Sequence, residues 1–348
     1  MPNARRFTMA AGCAALAASA ALSSALAGEE MPFGFEQPHM GTLFKVVLYA
    51  EDEGTARAAA EKAFARVAEL NAALSDYDPE SELSKFCRAP AGEAHKLGAD
   101  LLTVMALGQD LARETGGAFD ITIGKMTSLW RRSRRKGELP DAERLAAARD
   151  RTGFALLALD AEARTATLAK EHMQIDLGGI AKGYAAEEAL RVLRDAGSPR
   201  ASVAASGDIA VGDPPPGKAS WEIGLAGLDA EPKEGAPTQT VLLKGAGVST
   251  SGDTRQFVEI GGERYSHIVD PRTGLGLTRR ISATVIAPSA QLSDPLATAV
   301  CILGPEKGIA LIEAREGTEC FVVWMEGDTL RTASSSGFAK FLAPAKPE

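Results

Sequence analysis

"QIDLGGIAKGYAAEEAL", residues 174–190, decides how this 348-residue chain is read. Gln174 to Leu177 alternates polar and apolar as a short strand does. From Ile180 onward apolar residues recur at helical spacing, and Gly197 with Pro199 stops that helix near Ala196. Gly178 and Gly179 lie at the junction, and glycine there lets another group approach the backbone closely. Two occupants fit. One is a phosphate at the helix N-terminus, with Lys182 as a point charge in the first turn. The other is tight strand–helix packing with Lys182 in solvent. These residues alone leave both open.

Outward from that stretch, strands and helices mix without strict alternation. "GTLFKVVLYA" (41–50) reads as a strand and leads into the helical run "TARAAAEKAFARVAELNAALS". Residues 99–117 form a second helix closed by Gly116-Gly117, and "PDAERLAAARDRTG" a short third. "ALLALD", "TATLA" and "SATVIAP" read as strands, and "SDPLATAVCILG" as a helix opening at Pro295. "FVEIGGERYSHIVDPRTG" (257–274) is two alternating arms around Gly261-Gly262, a two-residue hairpin signal, and "ECFVVWMEGDTL" supplies another arm. Hairpins imply antiparallel pairing, so the expected class is α+β with mixed or antiparallel sheets and flanking helices.

Hydrophobic residues make up 45% of the chain and charged residues 24%, as in globular proteins. A net charge of −8 and 5% aromatic content argue against nucleic acid as a partner. Arg5 and Arg6 precede an apolar run ending Ala25-Leu26-Ala27, a secretory leader with an A-x-A site, giving a leader over 1–27 and a domain over 28–342. An uncleaved anchor is the alternative, but the run is weakly apolar for a spanning helix. Thr8 weakens a twin-arginine reading, and too little apolar sequence precedes Cys13 for a lipoprotein site. The tail 343–348 is expected to be disordered. Past the leader, Cys87, Cys301 and Cys320 make no disulfide framework, and no Cys/His spacing suits zinc.

Two segments mislead. Gly212 to Lys218 has the spacing of a phosphate loop, but three prolines remove its N–H donors and Ala219 lacks the hydroxyl. "RRSRRKG" (131–137) is a dense basic cluster whose default reading is a solvated helix end. Candidate chemistry lies elsewhere. With Pro295 at the first helical position, Asp294 becomes an N-cap, and Thr298 four residues on shares its side. Carboxylate and hydroxyl oxygens form a partial shell for Mg²⁺. His267 follows Tyr265 by two on the hairpin's second arm and reads equally as a general base, a phosphate contact or a structural imidazole.

"MGTLFKVV", "GGAFDITIG", "IDLGGIAKGYA", "VSTSGD", "YSHIVDPRTG" and "SDPLATAVCILGPEKG" stand in the order found in the ApbE family, the FAD:protein FMN transferases. The chain resembles that family from about Met40 to Gly308. The resemblance implies a two-lobed, tunnelling-fold-like unit with FAD between the lobes and Mg²⁺ on its diphosphate. It implies the Gly179 carbonyl, Asp294 and Thr298 as metal ligands. Met40, Ala118, Phe119, Asp120, Asp176, Lys182 and Ile268 would line the FAD. A Thr or Ser hydroxyl of an acceptor flavoprotein would attack the phosphorus and release AMP, with His267 taking the proton and Asp208 or Asp270 as lesser contributors. Exported flavoprotein subunits of respiratory complexes are the implied acceptors. An FAD diphosphatase and a non-catalytic flavin binder are the rival readings. Ser206, Gly276, Pro295 and the "WEIGLAGLDAEPK" stretch depart from the family's usual pattern.

Overall fold

The computed structural model describes residues 30–225, 228, 239–253 and 256–344. The expected leader and residues 345–348 of the expected tail lie outside them; Ala343 still donates its N–H to the Thr240 carbonyl at 2.8 Å.

Alternation builds the central sheet. β1 (Met31–His39) and β2 (Thr42–Ala50) pair antiparallel, joined by Met40 and Gly41 in left-handed backbone. Phe44, Val46, Leu48 and Ala50 of β2 point to one face and are buried. That face is covered by α1 (Glu53–Leu74), whose Asp52 cap accepts the Thr55 N–H at 2.9 Å. Each large apolar side chain buried there contributes roughly 1.5–3 kcal/mol. A smaller part follows: α2 (Glu82–Cys87), β3 (His95–Lys96), α3 (Ala99–Glu114), α4 (Gly124–Lys136), α5 (Ala142–Asp150), β4 (Leu157–Asp160) and β5 (Thr165–Leu168). Its three strands form their own sheet in the order β3-β5-β4.

The chain returns to the main sheet through α6 (Ala181–Asp195), β6 (Ala201–Ala205) and β7 (Asp208–Val211). The hairpin β8 (Trp221–Gly224) and β9 (Thr240–Leu243) leaves it, β10 (Ala246–Gly252) rejoins it, and β11 (Phe257–Ile260) with β12 (Glu263–Ser266) forms a separate hairpin. β13 (Ile281–Ala287), α7 (Ala290–Leu303), α8 (Pro305–Glu313), β14 (Glu319–Glu326) and β15 (Thr329–Ser334) complete it. The large sheet runs β1-β2-β6-β7-β10-β13-β14-β15, and its pairs are antiparallel. Helices α1, α6 and α7 cover one face; Trp221, Val241, Leu243 and Phe338 close the other against Val211, Val248 and Ile286.

The α+β expectation and the Gly261-Gly262 hairpin hold, those two glycines having φ of 62° and 82°. Two local expectations fail. Residues 174–177 are extended but form no strand: the Gln174 carbonyl takes the Gly124 N–H and the Asp176 N–H goes to the Ile121 carbonyl, so a single turn is the partner and no ladder repeats. Helix α7 opens at Ala290 after Ser289, so Pro295 lies inside it and Asp294 is not its N-cap. Proline withholds one helical N–H, and the deeply buried helix tolerates that loss.

Candidate functional site

Glycines set the spacing of the two helices that carry the site. A Cβ on Gly183 would stand 2.2 Å from the Ala290 carbonyl oxygen and 2.6 Å from the Asp294 Cβ, so only glycine lets α6 lie so close to α7. The Gly183 N–H donates to Asp294 Oδ2 at 2.9 Å. A Cβ on Gly179 would stand 3.3 Å from both Thr298 Oγ1 and Phe119. What approaches the glycine-rich junction is therefore the neighbouring helix, with its carboxylate and hydroxyl. On the sheet side, alternate residues of β10 reach α7: Ser249 shares a hydrogen bond with Ser293 at 2.8 Å, and Ser251 with Thr298 at 3.1 Å.

Lys182 is held between two carboxylates, 2.6 Å from Asp208 Oδ2 and 3.8 Å from Asp294 Oδ2. Burial opposes the ammonium, yet Asp294 and Asp208 outweigh it and hold its pKa above the ordinary lysine range. Burial first, and then Asp208, pushes the Asp294 carboxyl up to about 7. Two carboxylates share one ammonium, which leaves the buried cluster short of positive charge. Both contacts of Asp294 fall on Oδ2. Asp294, Thr298 and the backbone at Gly179 offer oxygen only, the donor set of Mg²⁺. The residues present fit such an ion.

These groups form the floor of a cleft of about 1330 Å³, above the roughly 300–1,000 Å³ of ordinary small-molecule pockets. Met40, Ala118, Phe119, Asp120, Asp176, Gly179, Lys182, His267, Ile268, Asp294 and Thr298 all line it, as does Asp208. Asp120 takes the Thr122 N–H at 2.8 Å and its hydroxyl at 2.6 Å, and burial pushes its carboxyl upward. Asp176 accepts from the Gly178 N–H at 2.8 Å and from Arg131 at 2.8 Å. Asp270 is elsewhere: it caps its own turn through the Arg272 N–H and guanidinium, and it does not line the cleft. Ser206 stands at φ 60° in the β6–β7 turn, where glycine is favoured, so its departure from the family pattern strains the rim by roughly 1–2 kcal/mol.

His267 lies just past the end of β12, so it does not share a strand face with Tyr265, which packs instead on Trp130 at 5.4 Å. Its Nδ1 lies 3.2 Å from the Gln256 carbonyl. A carbonyl only accepts, so this contact assigns the Nδ1–H tautomer and leaves Nε2 with a lone pair. Burial, helped by the nearby charges of Arg134 and Lys182, pushes its pKa down to about 4. The imidazole is neutral at neutral pH.

The basic run of residues 131–137 departs from its solvated reading. Arg131 bridges Asp76 and Asp176 and lies over the Tyr77 ring at 4.6 Å; Arg134 lines the same cleft. Burial and then Asp176 raise the Asp76 carboxyl. Asp76 and Tyr77 carry no signal in the sequence, whereas the inward turn of Arg131 and Arg134 does. The available signal was their register: Thr127, Trp130, Arg131 and Arg134 follow the i, i+3, i+4, i+7 spacing of one helix face. Cys301 and Cys320 are buried and unbridged, as expected.

A model of the ApbE family matches residues 40–322. The FAD:protein FMN transferase of Klebsiella pneumoniae (strain 342) is 31% identical over 313 residues, covering 88% of each chain. That of Escherichia coli (strain K12) is 28% identical over 312 residues, again covering 88% of each. The apo structure of Pseudomonas stutzeri flavinyl transferase ApbE is 31% identical, with a TM-score of 0.79 over 91% of this chain and 99% of that one. The Vibrio cholerae flavin transferase ApbE is 27% identical, with a TM-score of 0.81 over 90% and 100%.

Proposed function

Because the chain belongs to the ApbE family, we propose that it is a Mg²⁺-dependent FAD:protein FMN transferase. It moves FMN from FAD to a Thr or Ser hydroxyl of an acceptor flavoprotein and releases AMP. The observation that carries the reading is the buried Lys182–Asp208–Asp294 cluster, short of positive charge, at the floor of a dinucleotide-sized cleft. The Gly179 carbonyl, Asp294 and Thr298 would hold the ion, which when bound would neutralise the diphosphate charge. Lys182 keeps Asp208 and Asp294 compatible with burial, and Arg131 does the same for Asp76 and Asp176. Met40, Phe119, Ile268 and their neighbours exclude water around the flavin. His267, neutral with a free Nε2 lone pair, takes the proton from the acceptor hydroxyl as it attacks the phosphorus. The leader reading makes the enzyme an exported, periplasmic one, in the compartment of exported flavoprotein subunits of respiratory complexes.

Incubation with FAD and Mg²⁺, with and without a threonine-containing acceptor peptide, tests this. AMP and flavin-labelled peptide are the expected products. AMP with free FMN would make the protein a diphosphatase, and intact bound FAD would make it a carrier.

A further inference from the structure

Helix α4 carries two stripes. Thr127, Trp130, Arg131 and Arg134 face the large cleft, whereas Lys125, Ser128, Leu129 and Arg132 face a second groove of about 490 Å³. Each set follows the spacing of one helix face, and the two sets are offset by two residues, roughly 200° around the axis. The helix is thus a partition about 10–12 Å thick.

The charged side chains lining the second groove are Lys125, Arg132, Arg144 and Arg151, with His172 beside them; no carboxylate lines it. Arg151 donates to the backbone oxygens of Glu171 and Ala147, at 3.2 and 2.9 Å. Lys125, Arg132, Arg144 and Arg151 enter no ion pair among the described residues. Burial and the charge of Arg151 both disfavour the Lys125 ammonium. Such a gathering of like charges, on a chain of net charge −8, presents a positive face to an anionic partner. Its cations come from α4, from α5 and from Arg151 just past α5, a spread that suits a run of carboxylates better than one small anion. Arg134, Arg135 and Lys136 in the last turn of α4 continue the positive band around to the cleft.

We propose that this groove docks an acidic segment of the protein that receives the flavin, presenting its hydroxyl to the cleft across α4. The proposal rests on the transferase reading. The path around the helix, half the circumference of a cylinder about 10–12 Å across, is roughly 16–19 Å, or five to six extended residues at about 3.3 Å each.

The test uses two labelled peptides of equal length with a central threonine. One carries a run of glutamates about six residues away, the other a run of glutamines. Binding is read by fluorescence anisotropy without FAD, so it is judged separately from flavin transfer, which is read as AMP and labelled peptide. The glutamate peptide is expected to bind the wild type about tenfold more tightly at low salt. Arg132→Glu with Arg144→Glu, both exposed, is expected to abolish that preference while FAD binding stays unchanged. In transfer, KM for the glutamate peptide rises and kcat holds. Equal binding of both peptides, or a preference that survives charge reversal, overturns the proposal. So does displacement of the peptide by inorganic phosphate where equimolar chloride fails, which would make the groove a small-anion site. Charge-dependent binding to phosphatidylglycerol vesicles without peptide binding would assign it to a membrane surface and also overturn it. Wild-type preference for the glutamate peptide with no flavin transfer would keep the docking groove and sink the transferase reading.

Discussion

Asp294 is a carboxylate shut away from water with Asp208 nearby, and Lys182 satisfies only part of its need. Asp294 does not cap its own helix, but it takes the Gly183 N–H in the first turn of α6, a bond that an amide oxygen can keep, so Asp294→Asn removes charge without removing that acceptor. The metal-free melting temperature of that variant, measured in chelator, is expected to stay level or rise. The Mg²⁺ concentration needed for AMP release is expected to rise about tenfold or more. Superimposable magnesium curves would take Asp294 out of the metal site. His267 makes a separable prediction. His267→Ala is expected to bind FAD nearly normally but to release AMP roughly 10²–10⁴-fold more slowly. Its folded pKa of about 4 lies below the ordinary 6.5. The unfolded chain therefore takes up the proton first, and the stability this group contributes is present above about 6.5 and lost as pH falls toward 4. Melting curves across that window should show a shallower acid slope for His267→Gln than for the wild type. At this scale Asp294, Thr298 and His267 were legible because carboxylate, hydroxyl and imidazole stood in patterned segments. Arg131 was not, because four of its neighbours are also basic and charge alone does not say which of them turns inward.

At the scale of elements, α6 and α7 act as a pair because Gly183 has no side chain. Gly183→Ala is expected to cost about 1–3 kcal/mol by overpacking, read as a lower urea midpoint with an unchanged slope. FAD affinity should fall with it, since the same contact fixes Asp294 beside Lys182. A variant as stable as the wild type would mean that the helices part at little expense. The helices over 53–74, 99–114 and 181–195 and the β11–β12 hairpin were visible in periodicity and turn residues, whereas β1, β6, β7 and α4 were not, and two boundaries were misjudged. Residues 174–177 carry strand alternation but lack a neighbouring strand, and alternation reports burial on one side rather than pairing. Pro295 looked like a helix start because proline suits that position; tertiary burial of Leu296, Ala297 and Val300 let the helix extend five residues before it.

For the molecule as a whole, antiparallel pairing followed from hairpins spaced along the chain, whereas the cleft between the sheet's helices and α4 is a product of long-range packing that no local pattern records. Export is expected to leave Gly28 as the first residue of the mature protein, because Ala25 and Ala27 meet the small-residue rule for cleavage. N-terminal sequencing checks this, and a lipid-bearing start at Cys13 would overturn it. The cleft itself is built from unequal materials. Its floor belongs to an eight-stranded sheet and two helices in backbone contact, while His267 hangs from a two-stranded hairpin that joins no other named strand among the described residues and continues into backbone bonds with residues 275–277. A lone hairpin is only marginally stable, and this one is held by Tyr265 on Trp130, by the Trp130 indole N–H on the Ser266 carbonyl at 2.9 Å and by the Arg264–Asp253 ion pair. The two walls should therefore open on different clocks. In amide hydrogen exchange without FAD, Gly183 should outlast the amides of residues 257–266 by orders of magnitude. Nucleotide should slow the hairpin and leave the floor nearly unchanged, so that the rate at which the roof breathes limits how fast FAD enters and AMP departs.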